Sequence, residues 1–192
     1  MHALWVSALF AGLVVAAACQ ATPVTPPAEA SPYRATSTVR EIMQSVVEPS
    51  AQGLWDSVGT ISNEKGTFNL EPRTEAEWAA VRRHAVALLE STNLLVIPGR
   101  HVAQGGSATS KADDAEPGSE LNPTEIEKRV LENWPVWIGM AHALHDSAQT
   151  MLRTIDKKDV AGLESTGSDL DGVCESCHRM FWYPPRLPAS GR

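Results

Sequence analysis

Apolar residues recur every three or four positions over most of the chain from Ser37 to Trp182, the spacing of helices with one buried face. The first predicted helix runs from about Ser37 to Ile61 and opens on a capping box, Thr38 with Glu41. Val39, Ile42, Met43, Val46, Leu54, Val58 and Ile61 form its stripe. Pro49 interrupts it and removes one backbone donor, so a kink or break is expected there. A polar connection over residues 62–73 leads to a second helix at about 75–96, opened by Thr74 and Glu77. Trp78, Val81, Ala85, Leu88, Leu89 and Leu95 mark its buried side, with Arg82, Arg83 and Glu90 off it. Pro98-Gly99 stops it.

Residues 98–122 hold Gly105-Gly106-Ser107 and the polar run Lys111 to Glu120, and read as a long mobile loop. Its Arg100-His101 pair is either a solvated basic pair or a contact for the propionate groups of a cofactor. Asn122-Pro123 with Glu125 opens a third helix, which Pro135 breaks or bends before it continues to about Ile155. Trp137, Ile138, Ala141, Leu144, Ala148, Met151, Leu152 and Ile155 form its stripe. Asp156 to Asp159 is a turn so short that the fourth helix must run back along the third. That helix sets Val160, Leu163, Gly167, Leu170, Cys174, Cys177 and Phe181 on one face, in steps of three and four. Pro184-Pro185 ends it. The expected class is all-α, with four helices in up-down order and one folded domain over residues 37–188.

Residues 3–18 differ in character. This apolar run is about sixteen residues long, short for a membrane span of ~20, and it ends in small residues as a cleaved secretory signal does. Ala16-Ala17-Ala18-Cys19 resembles a lipobox, in which Cys19 would become a lipid-modified amino terminus and tether the protein to a membrane. Ala16 stands where the pattern usually has Leu, and Met1-His2 carries no Lys or Arg. The other reading is ordinary cleavage near Ala18 or Ala21. Residues 1–18 are read as a signal peptide, and either way the product is exported. Residues 19–36, rich in Pro, Ala and Thr, are a tether.

Composition adds limits. The 192 residues suit one domain with tails, and 43% hydrophobic residues can fill a core. A net charge of −7 argues against nucleic acid as a partner. Three cysteines cannot build a disulfide framework. No nucleophile-base arrangement, phosphate loop or paired-carboxylate site is present, so enzymatic turnover is not expected.

The chemistry lies in Cys174-Glu175-Ser176-Cys177-His178. Two cysteines three apart followed by histidine are the attachment signature of a c-type haem. On a helix both thiols share a face, so both can bond the vinyl groups of one porphyrin, and His178 one turn from Cys174 can reach the iron. The other readings are a redox pair or half a zinc site. Zinc would need four ligands, and there is no second cysteine pair. Because both cysteines fall on the buried stripe, the porphyrin should lie against the helical core. Gly167 and Gly172 either leave room for it or loosen the helix. Attachment of this kind takes place outside the bacterial cytoplasm, in keeping with an exported, periplasmic protein.

Four helices with this motif near the end of the last resemble the cytochrome c′ family over about residues 37–182. Phe181, three positions past His178, matches an aromatic the family tends to keep. The resemblance implies an antiparallel four-helix bundle with one covalent haem c on its last helix. In the six-coordinate, c556-type relatives a methionine on the first helix is the sixth iron ligand, and Met43 in Arg40-Glu41-Ile42-Met43 matches that place. The alternative for Met43 is a core methionine filling a gap. Met140, Met151, Met180 and the pair His142 and His145 are weaker candidates. Three functions follow as expectations. They are one-electron transfer with an unidentified redox partner, binding of NO or CO by five-coordinate iron, and a haem-free structural or binding lipoprotein. Homodimers are common in the family, which makes a homodimer a further expectation.

Overall fold

The computed structural model describes residues 32–103 and 120–183, and all the elements below lie in the unit Tyr33–Arg192. The signal-like run 3–18, residues 19–31 of the tether with Cys19, residues 104–119 of the predicted loop, and the tail with Pro184-Pro185 lie outside the described residues. The chain is mainly helical. Helix α1 comprises Val39–Ile42, a π-helical turn Met43–Val47, and Glu48–Trp55. Strands β1 (Gly59–Asn63) and β2 (Gly66–Leu70) follow, then α2 (Glu75–Leu95), α3 (Pro123–Glu132), α4 (Trp134–Asp156) and α5 (Val160–Phe181). No helix among the described residues is long and apolar enough to cross a membrane.

The starts of α1, α2 and α3 are fixed by capping boxes, two of them predicted as such and the third, Asn122 with Glu125, predicted as an N-cap followed by an acid. At α2 the Thr74 hydroxyl accepts from the Glu77 N–H at 3.2 Å, and the Glu77 carboxylate accepts from the N–H groups of Arg73 and Thr74, each at 2.8 Å. These bonds, that from Arg73 foremost, hold the Glu77 pKa below its ordinary 4.5. The unfolded chain therefore binds this proton more readily than the folded one. The contribution is complete above about pH 4.5 and is lost as pH falls through the depressed folded value. Glu77→Gln is expected to flatten the acid limb of a plot of melting temperature against pH. An unaltered limb would remove Glu77 from the account of acid unfolding.

Helix α1 departs from expectation twice. It does not break at Pro49: the helix passes through that residue, and the adjustment lies upstream in the π turn, where the Glu48 N–H donates to the Met43 carbonyl. The helix also stops at Trp55, six residues before the predicted end at Ile61. Gly59, at φ +147°, leaves helical geometry, and the segment predicted as helix end and polar connection forms a hairpin. Ile61 pairs with Phe68 on one face, while Ser62 and Thr67 share a hydrogen bond of 3.1 Å on the other. Gly66, at φ +125°, closes the turn with a backbone that other residues rarely adopt. The all-α expectation therefore holds for the helical bulk but omits this hairpin.

Core packing follows the predicted stripes. Helix α2 packs on α4, α4 on α5, α1 on α2 and α5, and α3 on α4 and α5. Trp78, Val81, Ala85, Leu88 and Leu95 of α2 are buried, as are Trp137, Ala141, Leu144, Ala148, Met151 and Ile155 of α4. Leu163, Gly167, Leu170 and Phe181 are the buried positions of α5. Pro135 ends one helix and starts the next, because in the first turn of α4 its missing N–H leaves no intrahelical bond unmade. Arg100-His101, in the first part of the predicted loop, is a structural clamp. Arg100 donates to the carbonyls of Ser37 and Leu94, and His101 pairs with Glu127 at 2.8 Å. Val39 and Arg40 donate to the carbonyls of His101 and Val102, and Val102 is buried.

Candidate functional site

The pentapeptide Cys174–His178 lies in the last turns of α5, and that end of the helix is held firmly. Phe181 is fully buried and meets Trp137 edge to face, with ring centroids 5.2 Å apart. The Trp137 indole N–H in turn donates to the Leu95 carbonyl at 2.9 Å, tying the start of α4 to the end of α2. Arg129 of α3 donates to the carbonyl of Tyr183 at 3.0 Å, and the Leu121 N–H donates to that of Trp182 at 2.8 Å. The helix bearing the motif thus has both its side chains and its terminal carbonyls anchored.

Beside the motif lies a largely apolar cavity of about 370 Å³. Cys174, Cys177 and His178 of α5 line one side. Met43, Val47, Ala51 and Trp55 of α1 contribute to the lining, as do Trp137, Met140, Ala141 and Leu144 of α4 and Leu95 of α2. The volume falls within the range of small-molecule and cofactor sites. Three carboxylate residues, Glu48, Asp171 and Glu175, also reach the lining.

Both cysteines are free thiols and half-buried. Burial pushes the Cys174 thiol up to about 11, and the Asp171 carboxylate adds to the effect. Burial pushes Cys177 up to about 12, with Cys174 adding to it. Both are therefore protonated at neutral pH, the reverse of the lowered thiol pKa that marks a redox-active pair. The His178 imidazole is half-buried and neutral in tendency, because desolvation lowers its pKa despite Glu175 and Glu120. It stands near the rings of Trp182 and Tyr183, at centroid distances of 6.1 and 6.4 Å, and makes no hydrogen bond among the described residues.

Cys174, Cys177, His178 and Met43 come together at this cavity although Met43 is more than a hundred residues away in sequence. The remaining candidates do not join them, with one exception. Met151 is buried core, Met180 is exposed, and His142 is exposed. His145 lies 3.6 Å from Asp146. Among the described residues no group of three His, Cys, Asp or Glu side chains is placed to hold a metal ion. The exception is Met140, a second thioether on the cavity wall. Sequence reasoning also missed Trp55, whose indole N–H donates to the Gly167 carbonyl at 3.0 Å. That indole covers Gly167, where an added Cβ would meet it at 3.4 Å. The space left by Gly167 is therefore taken by Trp55, not by a cofactor ring, and Gly172 faces open space.

The chain matches no protein-family model, no curated protein and no solved structure.

Proposed function

We propose that the chain is an exported monohaem c-type cytochrome that carries single electrons, built as an antiparallel up-down four-helix bundle of the cytochrome c′ and c556 type. The observation that carries this reading is the convergence of Cys174, Cys177, His178 and Met43 on one largely apolar cavity. The helix contacts α1–α2, α2–α4, α4–α5 and α5–α1 support the bundle.

The residues present fit a covalently held haem. The two thiols and the imidazole share one face of α5 and meet the same cavity, and the His178 imidazole has no competing hydrogen bond among the described residues. Cys174 and Cys177 would hold the porphyrin through thioethers, His178 would bind the iron, and Met43 is the candidate for its other side. When bound, haem supplies reversible one-electron storage at the iron. The chain's own residues would attach the group at two points, and Phe181 and Arg129 fix the imidazole-bearing helix end. Trp137, Leu144 and Ala51 exclude water. Catalytic turnover is not part of this reading. The protein would work outside the cytoplasm, released after signal cleavage or tethered through a lipid on Cys19, and pass electrons to a protein partner.

Absorption spectra of oxidised, reduced and CO-treated protein test the assignment. A low-spin spectrum with a far-red sulfur-to-iron band is expected, and Met43→Ala should abolish that band. A band that persists in Met43→Ala removes Met43 as ligand. The same apolar cavity suits a second reading, in which five-coordinate iron binds NO or CO and Met43 only packs. A high-spin spectrum with a prompt Soret shift on CO would favour it.

A further inference from the structure

The π turn at Met43–Val47 sits on the wall of the cavity, and the phase of α1 shows what it does. Along the second half of the helix, Glu48, Ala51 and Trp55 line the cavity. An unbroken α-helix of 3.6 residues per turn would continue that line to Gln44, four residues before Glu48. The turn closes five residues back instead, Glu48 N–H to Met43 carbonyl, so Met43 takes the cavity position and Gln44 is left exposed. The same extra residue keeps Ile42 and Val47 buried together although they are five apart. Pro49 supplies the cause. It has no N–H for the Ser45 carbonyl, and its ring would meet that carbonyl in α-helical geometry. Widening the turn just upstream relieves both conflicts.

We infer that the Pro49-linked π turn is a positioning device that brings the Met43 thioether, in place of the Gln44 amide, to the cavity that His178 also lines. This rests on the haem reading above, with Met43 as the iron's second axial group. The polar Gln44 would otherwise reach the wall, and thioether ligation would be absent. Pro49 acts here through Met43 and touches no cofactor itself.

Two measurements on the haem-loaded protein separate this inference from the reading it rests on. The first exchanges the two side chains, Met43→Gln with Gln44→Met. The far-red sulfur-to-iron band is expected to vanish, because position 44 faces solvent in the π register. If wild type shows the band and the exchanged protein keeps it, the register inference is overturned while methionine ligation stands. The second follows maleimide labelling of Gln44→Cys by mass spectrometry at the modified peptide. Exposed Gln52→Cys and buried Ala51→Cys serve as references. Position 44 should label within about threefold of position 52 and at least about tenfold faster than position 51, as accessibility governs thiol reaction. Labelling as slow as position 51 overturns the inference without reference to any iron ligand. A wild-type spectrum lacking the band overturns both the ligation and the positioning role.

Discussion

Trp137→Ala is expected to lower the unfolding free energy by about 3–5 kcal/mol, the range for removing a large aromatic from a packed core. Trp137 is 2% exposed and joins three helices at one point. Its ring meets Phe181 of α5 edge to face, and its N–H satisfies the Leu95 carbonyl at the end of α2. Alanine would leave a void beside an existing cavity and an unpaired buried carbonyl, which adds about 1–3 kcal/mol of its own within that range. Guanidinium unfolding followed by far-ultraviolet circular dichroism checks it. Trp137→Phe should restore most of the packing but not the hydrogen bond, and so fall between. A loss below about 1 kcal/mol for Trp137→Ala would mean that the end of α5 is not anchored through this residue.

The second large effect is chemical. Cys174→Ala combined with Cys177→Ala is expected to remove all haem that survives denaturation, because no other described residue offers a thiol. The fold should remain largely helical. Both side chains are only half-buried, and a methyl in place of a protonated thiol leaves no polar group unpaired. Denaturing-gel haem staining and far-ultraviolet circular dichroism on the same sample read the two properties separately. Stain retained by the double variant would place the attachment elsewhere.

Much of this was legible in the sequence where information is local. Thr38, Thr74 and Asn122 each announce a helix start through an acid three residues on, and all three capping boxes form. The stripes of α2, α4 and α5 are regular, so their buried faces follow from spacing alone. The hairpin was not legible because Val58 and Ile61 prolong a helical spacing by chance. Both strands are almost wholly exposed and carry no burial pattern of their own. Gly59 before Thr60-Ile61 and Gly66 before Thr67-Phe68, each a glycine ahead of two residues that favour strands, were the available clue. The π turn was hidden for a different reason. The expected stripe joined Met43 and Val46 into one α-helical phase, whereas the buried pair is Ile42 and Val47. That five-residue step just before Pro49 was the sign of an inserted residue.

The cavity itself could be read only in part. Cys174, Cys177 and His178 are adjacent in sequence, and Met43 followed from the family resemblance. Trp55 and Met140 reach the wall through packing between helices far apart in the chain, as the Trp55 bond to Gly167 shows. Nothing in the spacing around Gly167 indicates that an indole, and not a porphyrin, lies over it.

The central claim is that haem is bonded to Cys174 and Cys177, and haem staining of the wild-type protein on a denaturing gel tests it most directly. The protein should be produced in a host with working c-type maturation machinery. A stained band at the mass of the chain is the predicted result. A haem-negative band from that host would contradict the account and leave a haem-free exported protein in its place.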